Sequence, residues 1–313
     1  MGDYKESPLL LFVMKIIVTH TSPDWDAIGS VWLIKKYLAG WQEAEVRFVA
    51  AGERVESRKS KVESSELKNP IEKIGDDEVI HVDTGMGLLD HHQTSDTKIS
   101  AMSLTWDYIQ QEIKKEGNKF TPEHIEAITR VVGIVVEIDH FREVFWKDPA
   151  ADYHEFSLLG LMDGIKYERP DQDNFYVEFG ITCFNAEVIE FENRIWAEKE
   201  IEKGRKFITK YGKGIGFETI NDTVLKLAQK MGYVVVVRKD PRKGYVRIKT
   251  LPDNGSKGAD LTLAYEQLKK IDPDATWFLH VSGKMLLNGT PKNPKMIPTK
   301  LSLDDIIKVL EKI

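Results

Sequence analysis

The chain has 313 residues, 42% apolar and 30% charged, with a formal net charge of −6. That length suits two domains at roughly 100–200 residues each; no stretch approaches the roughly 18 uncharged apolar residues of a membrane span, and the negative charge argues against a protein that coats long nucleic acid by bulk electrostatics. The one cysteine, Cys183, can form no internal disulfide and no Cys-based zinc site, which fits a reducing, cytoplasmic setting.

Residues 9–18 are apolar except for Lys15. They lack the basic start and small-residue cleavage site of a signal peptide, so 14–19 reads as a buried first strand and the residues before Met14 as an extension. Residues 26–38 read as a helix with Ile28, Val31, Trp32 and Ile34 at apolar positions. Strands are expected at 46–51 and 78–82, and helices at 101–115 and 122–136, the latter with Thr121 as N-cap and Pro122 in its first turn. This alternation predicts an α/β fold, a mostly parallel sheet flanked by helices, in which ligands gather beyond the carboxyl ends of the strands. A long helix at 185–210, capped by Asn185 and with Val188, Phe191 and Ile195 on one face, carries the chain out of this domain.

Beyond Gly216 the rhythm changes. Segments 234–237 and 245–248 flank an Asp240-Pro241-Arg242-Lys243-Gly244 turn, a β-hairpin pattern. A helix at 261–269, strands at 277–281 and 285–287, and a helix at 303–312 complete a smaller α+β domain. The expected division is 14–184 for the catalytic domain, 185–215 for the connecting helix and linker, and 216–313 for a substrate-binding domain. From Gly216 onward Lys and Arg outnumber Asp and Glu by 17 to 11, a surplus of six that leaves −12 on the remainder. An acidic part beside a basic one suits a short or small phosphorylated substrate, and ordinary solvated faces would give the same division.

Three segments concentrate metal-ligand residue types. His20, Asp24 and Asp26 follow the first strand across a Ser22-Pro23 turn, where Asp24 or Asp26 could equally cap a helix. Asp83 closes a later strand, and Asp90-His91-His92 follows two glycines that let the backbone turn; His81, inside the strand, reads as structural or supporting. Asp139 lies near the end of an apolar helix in Glu137-Ile138-Asp139-His140, where exposed helix face is the plainer reading. Oxygen and imidazole donors without thiolate favour Mn²⁺ or Mg²⁺ over zinc. Two such ions sharing a carboxylate, roughly 3.5–4 Å apart, polarise a phosphate and activate water at neutral pH.

His-x3-Asp-x-Asp, then Asp83, then Asp90-His91-His92 and a later Asp139 resemble the four motifs of the DHH phosphoesterases. That superfamily includes RecJ-type exonucleases, nanoRNases, cyclic-dinucleotide phosphodiesterases and manganese pyrophosphatases. The resemblance implies that His20, Asp24 and Asp83 hold one ion and that Asp26, Asp83, His91 and Asp139 hold the other, with Asp83 bridging. It gives His92 and Asp90 catalytic roles, His92 meeting the substrate phosphate and Asp90 orienting the histidines. The cofactor is then two divalent ions, Mn²⁺ before Mg²⁺ or Co²⁺.

Gln93, Val136-Glu137-Ile138-Asp139, the Asn185 helix and Phe278-Leu-His280-Val-Ser282-Gly283 are similar to the branch described as metal-dependent protein hydrolases, which includes an organelle RNA exonuclease. That branch usually has His where Asp24 stands and Phe where Lys284 stands, and the Gly-Gly-Gly-His signature of the nanoRNase and RecJ-type domains is absent. His280, Ser282, Gly283, Lys284, Asn288 and Gly289 are expected to bind substrate phosphate by backbone N–H groups and an ammonium, although a plain hairpin with a solvated lysine would look the same. The expected function is hydrolysis of phosphodiesters in short oligonucleotides or small nucleotides, in a cleft between domains. Phosphomonoester or pyrophosphate hydrolysis and a non-catalytic nucleotide-binding module are the rival readings. A homodimer is compatible with the sequence and a membrane partner is not expected.

Overall fold

The computed structural model describes residues 13–55, 69–254, 258–290, 293 and 295–313; the extension expected before Met14 lies almost wholly outside them. The chain divides into two compact units, Met1–Phe191 and Glu192–Ile313. Among the described residues no helix is long and apolar enough to cross a membrane.

The first unit is α/β. Strands β1 (Lys15–His20), β2 (Glu45–Val49), β3 (Ile71–Ile74) and β4 (Asp77–His81) form a sheet in the order β2-β1-β4-β3. β1 runs parallel to β2 and β4, and only β3 is antiparallel. Alternation along β1 sends Ile16 and Val18 to one face, where they cluster with Val79, and Ile17 to the other. Helices α1 (Trp25–Tyr37), α2 (Ala101–Glu116) and α3 (Pro122–Asp139) pack together beside the sheet. Gly29 makes the α1–α2 approach possible, because a Cβ there would meet Met102 Sδ at 2.4 Å. The Thr121 hydroxyl accepts from the His124 amide at the start of α3, and Pro122 opens the helix. A 3-10 turn (Arg142–Phe145), α4 (Asp152–Glu155) and α5 (Leu158–Glu168) follow.

Helix α6 (Asp173–Lys203) corrects the sequence reading at both ends. Asn185 does not cap it but lies inside it, where its side-chain oxygen accepts from Trp32 Nε1 at 3.1 Å and from the Lys36 ammonium. Gly204 leaves the helix, and the chain then forms β5 (Arg205–Thr209) and β6 (Gly212–Glu218), where a helix tail and linker were expected. A Cβ on Gly204 would meet Ile215 and Phe217 within 2.7 Å, so only glycine fits between helix end and sheet.

The second unit is a six-stranded sheet in the order β5-β6-β7-β8-β10-β9, with β7 (Val235–Lys239), β8 (Val246–Thr250), β9 (Trp277–Leu279) and β10 (Met285–Asn288). One face packs on α8 (Thr262–Ile271) and α9 (Leu303–Leu310) through Val237, Ile248, Leu286, Leu268, Ile306 and Leu310. The other carries α7 (Thr223–Lys230) over Ile215, Phe217 and Val236.

Candidate metal centre

The parallel pairing of β1 and β4 puts their carboxyl ends side by side, and the first unit's polar residues converge there. His20 is the last residue of β1, and Asp83 lies two residues past β4. Between β1 and α1 the chain turns through Ser22, whose φ of 52° lies in the left-handed region. That turn is clamped on both sides: the Ser22 amide donates to Asp173 Oδ1 at 2.9 Å, and its carbonyl accepts from Lys166 Nζ at 3.1 Å. Neither residue was marked by the sequence, because nothing local ties them to the His20 loop.

Asp24 caps α1, with Oδ1 accepting from the Asp26 and Ala27 amides at 2.9 and 3.0 Å. The capping alternative is therefore correct for Asp24, and its second oxygen is left over for another role. Asp26, 1% exposed, caps a different helix: its two oxygens accept from the Ala101 and Met102 amides at 2.7 and 2.8 Å. Helix N-termini favour such carboxylates.

Asp83 itself has φ 52°, a conformation that Asp tolerates better than most residues. Its amide donates to the Leu89 carbonyl at 3.0 Å, which folds residues 83–89 into a closed loop. Asp90, 2% exposed, anchors the loop's far end, accepting from the Met86 amide at 2.7 Å, the His92 amide at 3.0 Å and His92 Nδ1 at 2.7 Å. It therefore orients His92 and not both histidines. His81 is turned elsewhere, its ring held by Glu72 at 3.1 Å and the Val55 amide at 3.1 Å.

All six expected ligand side chains meet in this space. His20 Nε2 is 3.2 Å from Asp83 Oδ2. His91 Nε2 lies 3.8 Å from Asp26 Oδ2, 3.7 Å from Asp83 Oδ1 and 3.5 Å from Asp139 Oδ2. His92 Nδ1 lies 3.6 Å from Asp83 Oδ1. Three triads could each hold an ion: His20, Asp24 and Asp83; Asp83, His91 and His92; and His91, Asp139 and His140. His140 is the addition to the expected set. Its adjacency to Asp139 was the available signal, but its Nε2 donates to the Ile99 carbonyl at 2.8 Å, so that nitrogen is already engaged.

The electrostatics are unfavourable without a cation. Among the described residues no Lys or Arg pairs with Asp24, Asp26, Asp83 or Asp139. Burial and the Asp83 and Asp139 carboxylates push Asp26 well above the usual carboxylate range. Burial, with Asp24 and Asp83, also raises Asp139 against the pull of His91 and His140. Burial would lower His20, but the Asp83 hydrogen bond, the Thr21 carbonyl and the nearby carboxylates outweigh it and raise the ring to about 9. Asp83 Oδ1, His91 Nε2 and Asp139 Oδ2 are buried without any hydrogen-bond partner. Their separations of 3.5 and 3.7 Å exceed hydrogen-bond length. They approach the spacing of about 3 Å that donors adopt on one octahedral ion with bonds near 2.1 Å. The residues fit a divalent metal.

No family model matches the chain, and no curated protein matches it. Among solved structures it is similar to one described as a member of the s1p family of ribosomal proteins, DHH domain. The identity is 10% and the TM-score 0.30, over 95% of this chain and 85% of that one. Overlap that loose bears no weight for chemistry, which rests on the side chains above.

The expected substrate residues of the second unit behave differently from one another. His280 and Ser282 are exposed in the turn before β10, with His280 Nδ1 2.8 Å from Ser282 Oγ, and the turn closes on the buried Gly283, at φ 68°, whose amide donates to the His280 carbonyl at 2.8 Å. Lys284 is not a free ammonium: Nζ pairs with Asp253 at 2.7 Å and donates to the Ala259 carbonyl at 2.8 Å. Asn288 is fully buried and all its amide groups are used, donating to the Thr276 and Ile297 carbonyls at 2.9 and 3.0 Å and accepting from the Thr299 amide at 2.7 Å. A Cβ on Gly289 would strike the Tyr245 ring at 2.0 Å. The Asn288 side chain therefore braces its own unit and has no free group for a substrate, and Gly289 packs against the Tyr245 ring.

Proposed function

We propose that the protein is a phosphoesterase of the DHH type that depends on two divalent metal ions. The observation that carries this reading is the set of three buried, unpartnered donor atoms on Asp83, His91 and Asp139, crowded by further carboxylates with which, among the described residues, no Lys or Arg forms an ion pair. His20, Asp24 and Asp83 would hold one ion, and Asp26, Asp83, His91 and Asp139 the other. The all-oxygen and imidazole donor set favours Mn²⁺, with Mg²⁺ or Co²⁺ as substitutes. When bound, the pair supplies Lewis acidity toward a phosphoryl oxygen and a nucleophile at neutral pH.

The protein's own groups position that chemistry. Asp90 holds His92 Nδ1, which leaves Nε2 of a 57% exposed side chain to meet a phosphate oxygen. Burial lowers the His92 pKa, and the Asp90 hydrogen bond and the Asp83 and Asp139 charges raise it overall, favouring the protonated, donating form. Such a donor stabilises charge that builds on phosphate oxygens in the transition state. The substrate class proposed is the phosphodiester of short oligonucleotides or small nucleotides.

The test is metal content together with hydrolysis of bis-p-nitrophenyl phosphate. Elemental analysis should find two Mn²⁺ per chain, and Asp83→Asn should lose both ions and about a thousandfold or more in rate. Full activity in that variant would sink the proposal. A panel of short RNAs, cyclic dinucleotides, pyrophosphate and nucleoside monophosphates then separates diesterase from monoesterase or pyrophosphatase chemistry.

A further inference from the structure

Helices cover one face of the second unit's sheet, but on the other face α7 reaches only β6 and β7. Cross-strand register aligns Phe278, Leu287 and Arg247 in one row on this second face, and Met285 with Lys249 in the next. Phe278 is 50% exposed, and the other four are partly exposed. The stretch of β8, β10 and β9 beyond α7 is thus an open face carrying an aromatic ring and two cations.

Its two cations are unequally compensated. No carboxylate stands in either row. Lys249 has no ion pair among the described residues and instead faces Arg247 and the exposed Lys226 of α7; burial and these two charges lower its pKa. Arg247 shares Asp222 with Arg238, whose Nε lies 2.7 Å from that carboxylate, and the buried Nε of Arg247 has no hydrogen-bond partner. Asp222 thus pairs with both guanidiniums, Arg238 having Asp240 nearby as well, while among the described residues no carboxylate pairs with the Lys249 or Lys226 ammonium. Gathering like charges in this way is costly unless an anion completes the set.

We propose that this open face binds a short single-stranded oligonucleotide, with phosphates at Lys249, Lys226 and Arg247 and a base stacked on Phe278. The proposal rests on the phosphoesterase reading and names its substrate class. Strand spacing of about 4.8 Å puts Phe278 roughly 10 Å from Arg247 across the intervening strand, with Lys249 one row further along β8, a span that one nucleotide and its neighbour can bridge. A sheet face that pairs exposed aromatics with cations is a physical solution for binding single strands, because every base has a π-face to stack. A lone phosphate would have no use for Phe278, and an acidic peptide would bring no base to it.

The experiment is fluorescence anisotropy of the full chain in EDTA with a fluorescein-labelled single-stranded RNA of about eight nucleotides. Lys249→Gln and Phe278→Ala should each weaken binding about tenfold, and Lys249→Gln should reduce the salt slope by about one. Both variants should keep unaltered Mn²⁺-dependent hydrolysis of bis-p-nitrophenyl phosphate. Unchanged RNA binding in both overturns the proposal. So does loss confined to Lys249→Gln with inorganic phosphate as an effective competitor, which marks a small-anion site, or a poly-glutamate peptide that competes as well as RNA. Absence of hydrolysis in the unaltered protein would strike the proposed function and leave the binding face standing.

Discussion

At the scale of single residues, His20 ties metal binding to protons. Its ring is raised from 6.5 to about 9 in the metal-free protein. The protonated ring's contribution to stability is therefore complete below pH 6.5 and is lost as pH rises through about 9. An ion must expel that proton to use Nε2. Mn²⁺ affinity, measured by titration calorimetry, should accordingly rise with pH up to about 9 and release protons in slightly acidic and neutral buffers; affinity that fell with rising pH in this range would contradict the site. Asn288 shows the opposite use of a buried polar group, spending its hydrogen bonds on backbone groups of its own unit. Asn288→Ala should destabilise the second unit by about 2–3 kcal/mol in urea denaturation, because it leaves buried carbonyls and an amide unpaired. Under native conditions it should leave affinity for RNA unchanged.

At the scale of elements, the loops of the candidate metal centre were legible because they concentrate residues that are costly to gather for no purpose. His20, Asp24, Asp26, Asp83 and the Asp90-His91-His92 run stand at ends of elements whose periodicity was plain, and the Thr121-Pro122 start of α3 was equally so. Asn185 misled because its cap-forming side chain serves Trp32 and Lys36 from another helix, 153 and 149 residues away in sequence. α7 has eight residues and no capping side chain, whereas α9, of the same length, opens on the Ser302 capping box; β3 is a four-residue strand with two charged residues at its centre. β6 was hidden because its glycines resemble linker, and β5 because Arg205–Thr209 reads as a continuation of the helix before it. Asn288-Gly289 reads the same whether it faces a ligand or braces a hairpin, and the deciding partners, Thr276, Ile297 and Thr299, come from other segments. Asp139 gave a weak signal for a related reason: one carboxylate at a helix end looks like solvated surface until His91 is placed 3.5 Å away.

At the scale of the whole molecule, the two units carry complementary parts of the proposed chemistry, and their charges diverge accordingly. On the proposed reading, the carboxylates of the first unit would repel a phosphate until cations arrive, whereas the open sheet face of the second would need no metal to hold one. Without ions the chain would then hold nucleic acid, and with them cut it. Protein mixed first with oligonucleotide and then given Mn²⁺ should begin cleavage without delay in a stopped-flow assay, since nothing occupies the metal-binding carboxylates beforehand. A lag that lengthens with oligonucleotide concentration would mean the strand blocks entry of the ions. On the proposed reading, the crowding of Asp24, Asp26, Asp83 and Asp139 would give the protein a throttle: the supply of divalent ions, and not the abundance of short strands, would set how fast it turns over.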